Sequence, residues 1–115
     1  MKILVVDDKA WRRSQIKYLL LPYGHEIILA RNGKTALTLF ARHKPDLVLT
    51  DTKMSPIEGP ALARELKRII PNTPVIGMSK REESRKNYAH FWRKDEPVEE
   101  LIKLVNQLVP VKSPS

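Results

Sequence analysis

The sequence predicts an α/β protein, a doubly wound parallel sheet of five strands with helices on both faces. Short runs of β-type apolar residues alternate with longer stretches of helical spacing through residues 2–109, and that alternation builds βαβ units around a parallel sheet. The strand-like runs, of which Ile3-Leu4-Val5-Val6 is the first, are apolar throughout rather than alternating, as strands covered on both faces are. The chain has 115 residues, 42% hydrophobic and 30% charged, which supplies one core and leaves little room for a second.

Residues 2–7 are an apolar run ending in acid, the pattern of a buried strand. Residues 10–21 keep helical spacing, with Trp11, Ile16, Leu19 and Leu20 apolar, and Pro22 and Gly24 stop that helix. Residues 26–30 read as a second strand. Asn32-Gly33 is a turn signal leading into a second helix with Ala36, Leu37, Leu39 and Phe40 on its apolar face, and Pro45-Asp46 breaks it. Leu47-Val48-Leu49-Thr50 is a third strand ending at Asp51. After a loop with Pro56 and Gly59, residues 60–70 form a third helix with Pro60 near its first turn, where proline is favoured. Pro74-Val75-Ile76-Gly77-Met78 is a fourth strand, residues 83–89 a short helix, and Phe91-Trp92 a short fifth strand. Residues 97–109 repeat Val98, Leu101, Ile102, Val105, Leu108 and Val109 at amphipathic helical spacing. The domain is expected over 1–109, with 110–115 a flexible tail or the start of a linker. Five such units give the flavodoxin-like strand order 2-1-3-4-5, in which ligands bind beyond the carboxyl ends of strands one and three.

Composition narrows the chemistry. The chain has no cysteine, so disulfides, cysteine zinc sites, iron–sulfur clusters and a thiol nucleophile are excluded. The apolar runs are too short to span a bilayer, and Met1-Lys2-Ile3 leads straight into a strand rather than a signal peptide, so a cytoplasmic protein without membrane partners is expected. A net charge of +8 would attract nucleic acid or an acidic partner, or simply solvate the surface. No recognition helix or arm is evident and the helices are needed to cover the sheet, so direct nucleic-acid binding is not expected. His25, His43 and His90 lack metal-ligand spacing and read as surface or rim residues. Trp11 and Trp92 read as packing residues.

A parallel sheet of this order demands polar residues at the carboxyl ends of its central strands. Strand one ends in Asp7-Asp8 and strand three in Asp51, while strand four is followed by Ser79 and strand five by Lys94. Three carboxylates brought together repel unless a cation joins them. Oxygen ligands without histidine or cysteine suit a hard ion, Mg2+ first, which keeps several waters and takes phosphate oxygens. A carboxylate can then act as the nucleophile of phosphoryl transfer, with the cation and lysine stabilising the transferred group and the serine hydroxyl donating to it.

These residues resemble the receiver domain of bacterial two-component response regulators over residues 2–109. The resemblance rests on Ile3-Leu4-Val5-Val6-Asp7-Asp8, Asn32-Gly33-Lys34-Thr35-Ala36-Leu37, Pro45-Asp46-Leu47-Val48-Leu49-Thr50-Asp51 with Met54 and Gly59 behind it, Pro74 to Ser79, and Phe91-Trp92-Arg93-Lys94. It implies a signalling domain rather than an enzyme, one that assists only its own phosphorylation and dephosphorylation. Asp51 would be the phosphoacceptor, served by a sensor histidine kinase or phosphotransfer protein. Asp8 would ligate Mg2+ directly, Asp7 through water, and Lys53 through its backbone carbonyl. Ser79 would be the switch hydroxyl, Lys94 would pair with phosphoryl oxygens, and Phe91 would be the rotating aromatic switch that addresses a downstream effector.

The chain also departs from the family pattern. Asp95 follows Lys94 where proline is usual, which predicts an Asp95–Lys94 pair competing for the lysine. Lys80 stands where a small residue is expected, and with Lys53 and Arg81 it would add positive charge around the phosphoryl group. The stretch from Ser79 to Lys94 is short by roughly two helical turns, which predicts a stunted or irregular fourth helix. These departures leave open a pseudo-receiver, an interaction module that is not phosphorylated. An aspartyl-nucleophile phosphatase would want its two acids two apart on one strand, and a flavin protein would want a glycine- and hydroxyl-rich loop after strand one. Neither pattern is present.

Overall fold

Five parallel strands form one sheet in the order β2-β1-β3-β4-β5, the order the sequence predicts. The computed structural model describes residues 1–51, 64, 65, 68 and 72–109. The strands are β1 (Lys2–Val6), β2 (Glu26–Ala30), β3 (Leu47–Asp51), β4 (Val75–Ser79) and β5 (His90–Arg93). The described helices are α1 (Ala10–Leu20), α2 (Gly33–His43) and α3 (Val98–Leu108), with 3-10 helices at Leu21–Tyr23 and Glu82–Asn87. Arg64, Glu65 and Arg68 lie in helical backbone. The remainder of the helix expected over 60–70 lies outside the described residues, as do Lys53, Met54, Pro56, Gly59 and the 110–115 tail.

Burial explains why the strand runs are apolar throughout. β3 and β4 are buried along their whole length, and successive side chains feed opposite faces. Leu4, Val6, Val48 and Val75 pack with Ala36 and Phe40 of α2 on one face. Ile3, Val5, Leu47, Leu49, Ile76 and Met78 pack with Ile16 and Leu20 of α1 and Leu101 and Val105 of α3 on the other. Each fully buried aliphatic side chain contributes about 1.5–3 kcal/mol.

Local signals set the helix ends. Asn32 caps α2, its Oδ1 accepting from the Thr35 N–H at 2.8 Å, a satisfied N-cap beyond the turn that Asn32-Gly33 signals. Pro22 and Gly24 end α1 as expected. The chain tightens into the 3-10 helix Leu21–Tyr23 and reverses at Gly24, with φ 82°. α3 begins after Pro97 with Glu99 and Glu100 in its first turn, where acids complement the helix dipole.

Two expectations are corrected here and one holds. Trp11 is 59% exposed, not a packing residue, because residues 12, 16 and 20 share the inward face of α1 and Arg12 takes the place a tryptophan would fill. Trp92 does pack, and its Nε1 donates to the Pro97 carbonyl at 3.3 Å. His25 is 4% exposed rather than at the surface, since the turn at Gly24 carries it under the start of β1, where the Glu26 N–H donates to the Met1 carbonyl at 2.9 Å.

The short segment between β4 and β5 is where the shortened fourth helix was expected. It holds the 3-10 helix Glu82–Asn87, closed by the Tyr88 N–H donating to the Arg85 carbonyl at 3.2 Å. Tyr88 itself covers the sheet there. Its ring lies over Gly77 so closely that a Cβ on Gly77 would stand 2.5–2.8 Å from three ring atoms. Gly77 therefore serves close approach, which is what a glycine inside a strand often marks.

Gly77→Ala is expected to lower stability by about 1–3 kcal/mol through overpacking, read by urea unfolding, and to cost far less in a Tyr88→Ala background. Equal costs in both backgrounds would contradict the contact. A second expectation concerns acid. Burial, then the nearby N-terminal amine, hold His25 below its ordinary 6.5. As pH falls through that unfolded value the unfolded chain takes the proton first, so stability drops until the folded value is passed. His25→Phe should flatten the decline in unfolding free energy below neutral pH, and an unchanged slope would remove His25 as its source.

Candidate functional site

The carboxyl ends of β1, β3, β4 and β5 converge as the strand order requires. The β1 ladder runs one residue past the strand, where the Asp7 N–H donates to the Ala30 carbonyl at 3.1 Å, and the Lys94 N–H donates to the Ser79 carbonyl at 2.9 Å. These bonds fix Asp7 and Lys94 on the rim of the sheet, beside Asp51 at the end of β3 and Ser79 at the end of β4.

Asp7, Asp8 and Asp51 each offer a carboxylate oxygen within 4.8 Å of the others. Asp7 and Asp51 are buried and Asp8 is exposed. The Lys94 Nζ lies 3.2 Å from Asp51 Oδ1 and 3.5 Å from Asp7 Oδ2. Asp7 Oδ1 accepts from the Lys9 N–H at 2.9 Å, and Arg13 Nη1 donates to the Asp7 carbonyl at 2.6 Å. Asp7 Oδ2 is buried with no hydrogen-bond partner among the described residues. Burial, more than the charges of Asp51 and Asp8, pushes the Asp7 carboxyl above the usual range, although the Lys9 N–H and Lys94 pull it back. A buried carboxylate oxygen without a hydrogen bond and an all-oxygen donor set fit a hard divalent cation.

The sequence-predicted residues Asp7, Asp8, Asp51, Ser79 and Lys94 thus come together. Ser79 Oγ accepts from the Arg81 N–H at 3.0 Å, which leaves the hydroxyl proton to donate elsewhere. Phe91 is buried, 6.3 Å centroid to centroid from Tyr88, with the Arg85 guanidinium 4.9 Å from its ring centre. Lys53 lies outside the described residues. The expected Asp95–Lys94 pair is corrected. Asp95 accepts from Arg93 Nε at 2.9 Å, because the chain turns after β5 and leaves Asp95 exposed beside Arg93 while Lys94 reaches inward to Asp51 and Asp7.

Sequence reasoning missed Lys9, Arg12 and Arg13. They follow the acidic pair directly, and their bearing on the site depends on the start of α1 folding back over Asp7. Lys9, Arg12, Lys80, Arg81 and Lys94, with Trp11, line a cavity of about 280 Å3 that reaches Asp51 and Ser79.

Comparison with known proteins decides the family. Residues 3–106 match the family described as Response regulator receiver domain. The chain belongs to that family. The chemotaxis protein CheY of Bacillus subtilis (strain 168) is 37% identical over 76 residues, 65% of this chain and 63% of that protein. The probable transcriptional regulator ycf27 of Porphyra purpurea is 40% identical over 75 residues, 65% of this chain and 30% of that protein. The matched region spans less than two thirds of either relative. Response regulator TrrA of Thermotoga maritima, solved in complex with Mg(2+)-BeF, superposes with a TM-score of 0.88 at 30% identity, covering 94% of this chain and 98% of that one. Among the described residues of this receiver domain, no helix is long and apolar enough to cross a membrane.

Lys94→Met would leave two buried carboxylates facing each other without their lysine. Breaking such a buried arrangement costs about 3–5 kcal/mol. The variant is expected to melt well below the native chain and to regain more melting temperature from added Mg2+ than the native chain does. Equal melting temperatures would show that Lys94 does not hold the site together.

Proposed function

We propose that this receiver domain is the phosphoacceptor unit of a two-component response regulator, over residues 1–109, with Asp51 receiving the phosphoryl group from a phosphohistidine on a sensor histidine kinase or phosphotransfer protein. The observation that carries this is the largely covered Lys94 ammonium, its side chain 10% exposed, set between Asp51 and Asp7 at the rim of the sheet. Such an arrangement exceeds what a helix cap or a surface ion pair needs.

The chemistry follows from the positions. Asp51 attacks phosphorus through a carboxylate oxygen as the bond to the donor nitrogen breaks, and the donor imidazole keeps the electron pair. Lys94 is already in place to balance charge on the transferred group. Ser79, its hydroxyl proton uncommitted to the Arg81 N–H, donates to the phosphoryl oxygens. Asp7, Asp8 and Asp51, with the backbone carbonyl that the family pattern assigns to Lys53, would hold Mg2+, which when bound neutralises phosphoryl oxygens. The domain assists only its own phosphorylation and dephosphorylation.

The output is conformational. Added charge at Asp51 draws Ser79 and Lys94, and Phe91 two residues before the arginine–lysine pair shifts in response, altering the surface shown to a downstream effector. The reading places the protein in the cytoplasm with its kinase. Asp95 does not contest Lys94, being held by Arg93, so that ground for an unphosphorylated module falls away.

Intact mass after incubation with Mg2+ and acetyl phosphate tests this. The native chain is expected to gain one phosphoryl group only when Mg2+ is present, and Asp51→Asn none. A folded native chain that gains nothing, or an Asp51→Asn variant labelled as fast as native, would overturn the assignment.

A further inference from the structure

We infer that Tyr88 is a further sensor of the phosphorylated state: its buried hydroxyl, unpartnered among the described residues, gains an acceptor only when the Asp51 site is occupied, and so ties the segment between β4 and β5 to that site. This rests on Asp51 being the phosphoacceptor and deepens that reading by assigning a residue outside the set of Ser79, Lys94 and Phe91.

Placement comes first. The Tyr88 ring lies over Gly77, which stands in register with Thr50 of β3 on one side and Phe91 of β5 on the other. Side chains alternate along a strand, so Ser79, two residues on from Gly77, belongs to the same sheet face as the ring. Thr50 has spent its hydroxyl proton on the Asp51 carbonyl at 3.0 Å, and Ser79 Oγ accepts from the Arg81 N–H. The phenol thus sits among polar groups already engaged elsewhere. An O–H shut away from water and from any acceptor is costly. A phenylalanine would cover Gly77 equally well without that cost, so covering the sheet does not account for the hydroxyl.

The Asp51 site can supply what is missing. Its charge already reaches the phenol and adds to burial in pushing it up from its ordinary value. A phosphoryl group there brings further negative charge and strong acceptor oxygens, and an O–H bonds an anionic oxygen more strongly than a neutral one. The Tyr88 hydroxyl donates to a phosphoryl oxygen, or to Ser79 Oγ once Ser79 has turned toward the phosphoryl group. In either case the acceptor is in place only in the phosphorylated domain. The effect passes outward through the backbone. The Tyr88 N–H donates to the Arg85 carbonyl, the Arg85 guanidinium lies 4.9 Å from the Phe91 ring centre, and Arg85 Nη2 donates to Glu82 at 3.2 Å on the exposed surface. The segment standing where a fourth helix was expected therefore carries its own link to the site.

The test uses Mg2+ with beryllofluoride, a phosphoryl mimic that seats on a carboxylate, on the full chain as native protein, Tyr88→Phe, and Tyr18→Phe as a control at an exposed tyrosine. Tyr88→Phe keeps the ring. It is expected to melt no lower than native without beryllofluoride and to bind beryllofluoride about tenfold more weakly, the size of one lost hydrogen bond to a charged group. Tyr18→Phe is expected to bind as native does. In native protein carrying 13C at the tyrosine Cζ, the Tyr88 resonance, assigned by elimination with Tyr18→Phe and Tyr23→Phe, is expected to shift on saturation. That measurement reports even if Tyr88→Phe fails to fold. Native affinity in Tyr88→Phe, an unmoved Tyr88 resonance, or a Tyr88→Phe variant that melts below native without beryllofluoride each overturns the sensor role and leaves Asp51 as phosphoacceptor. A folded native chain that neither binds beryllofluoride nor gains mass from acetyl phosphate overturns the phosphoacceptor reading and the sensor with it.

Discussion

Like-charge crowding at the carboxyl edge of the sheet is the constraint on which the rest of this structure depends. Asp7 and Asp51 are buried and Asp8 stands beside them, their oxygens within 4.8 Å. Such a group destabilises the fold unless positive charge is brought to it. The fold supplies that charge from several directions. Lys94 reaches in from the end of β5, Arg13 binds the carbonyl of Asp7, and the first amide of the α1 turn binds its carboxylate. Asp7 Oδ2 is still left without a hydrogen bond. The Lys94 ammonium, 3.5 Å away, faces that oxygen instead.

The second organising feature is the economy of the segment between β4 and β5. Six residues of 3-10 helix stand where a longer helix would cover the sheet, and one aromatic side chain completes the cover. Tyr88 can do so because Gly77 has no side chain. The phenol is buried and its hydroxyl unpartnered among the described residues, and burial with the nearby Asp51 charge pushes it up from its ordinary value. Tyr88 and Phe91 therefore form a small aromatic block between the acidic site and the surface carrying Arg85, Glu82 and Arg93. Those exposed pairs add little to stability. They give the outer surface near β5 a charge pattern that a partner can read.

Much of this was legible in the sequence. Uniformly apolar runs mark the buried strands, and their order places Asp7, Asp8, Asp51, Ser79 and Lys94 on one rim. What the sequence did not show has physical causes. Trp11 and Arg12 differ by one position, about 100° around a helix, and hydrophobicity alone assigned the inward place to the wrong one. Asp95 is adjacent to Lys94 in sequence but not in space, since the turn after β5 leaves Asp95 outside with Arg93 while Lys94 reaches in. His25 is buried through a turn whose direction depends on Gly24, and Gly77 carries no sign of the ring that sits on it. The contribution of α1 to the site was hidden for a similar reason, since it depends on how a helix docks rather than on what it contains.

The most direct measurement is a crystal structure with Mn2+ in place of Mg2+, using the anomalous signal of the metal to locate it. The account predicts one peak at the carboxyl edge of the sheet, bound by carboxylate oxygens of Asp8 and Asp51 with Asp7 reached directly or through water, and lost in Asp8→Asn/Asp51→Asn crystals. Ordered carboxylates with no metal peak between them, at a concentration that saturates a receiver of known affinity, would contradict it.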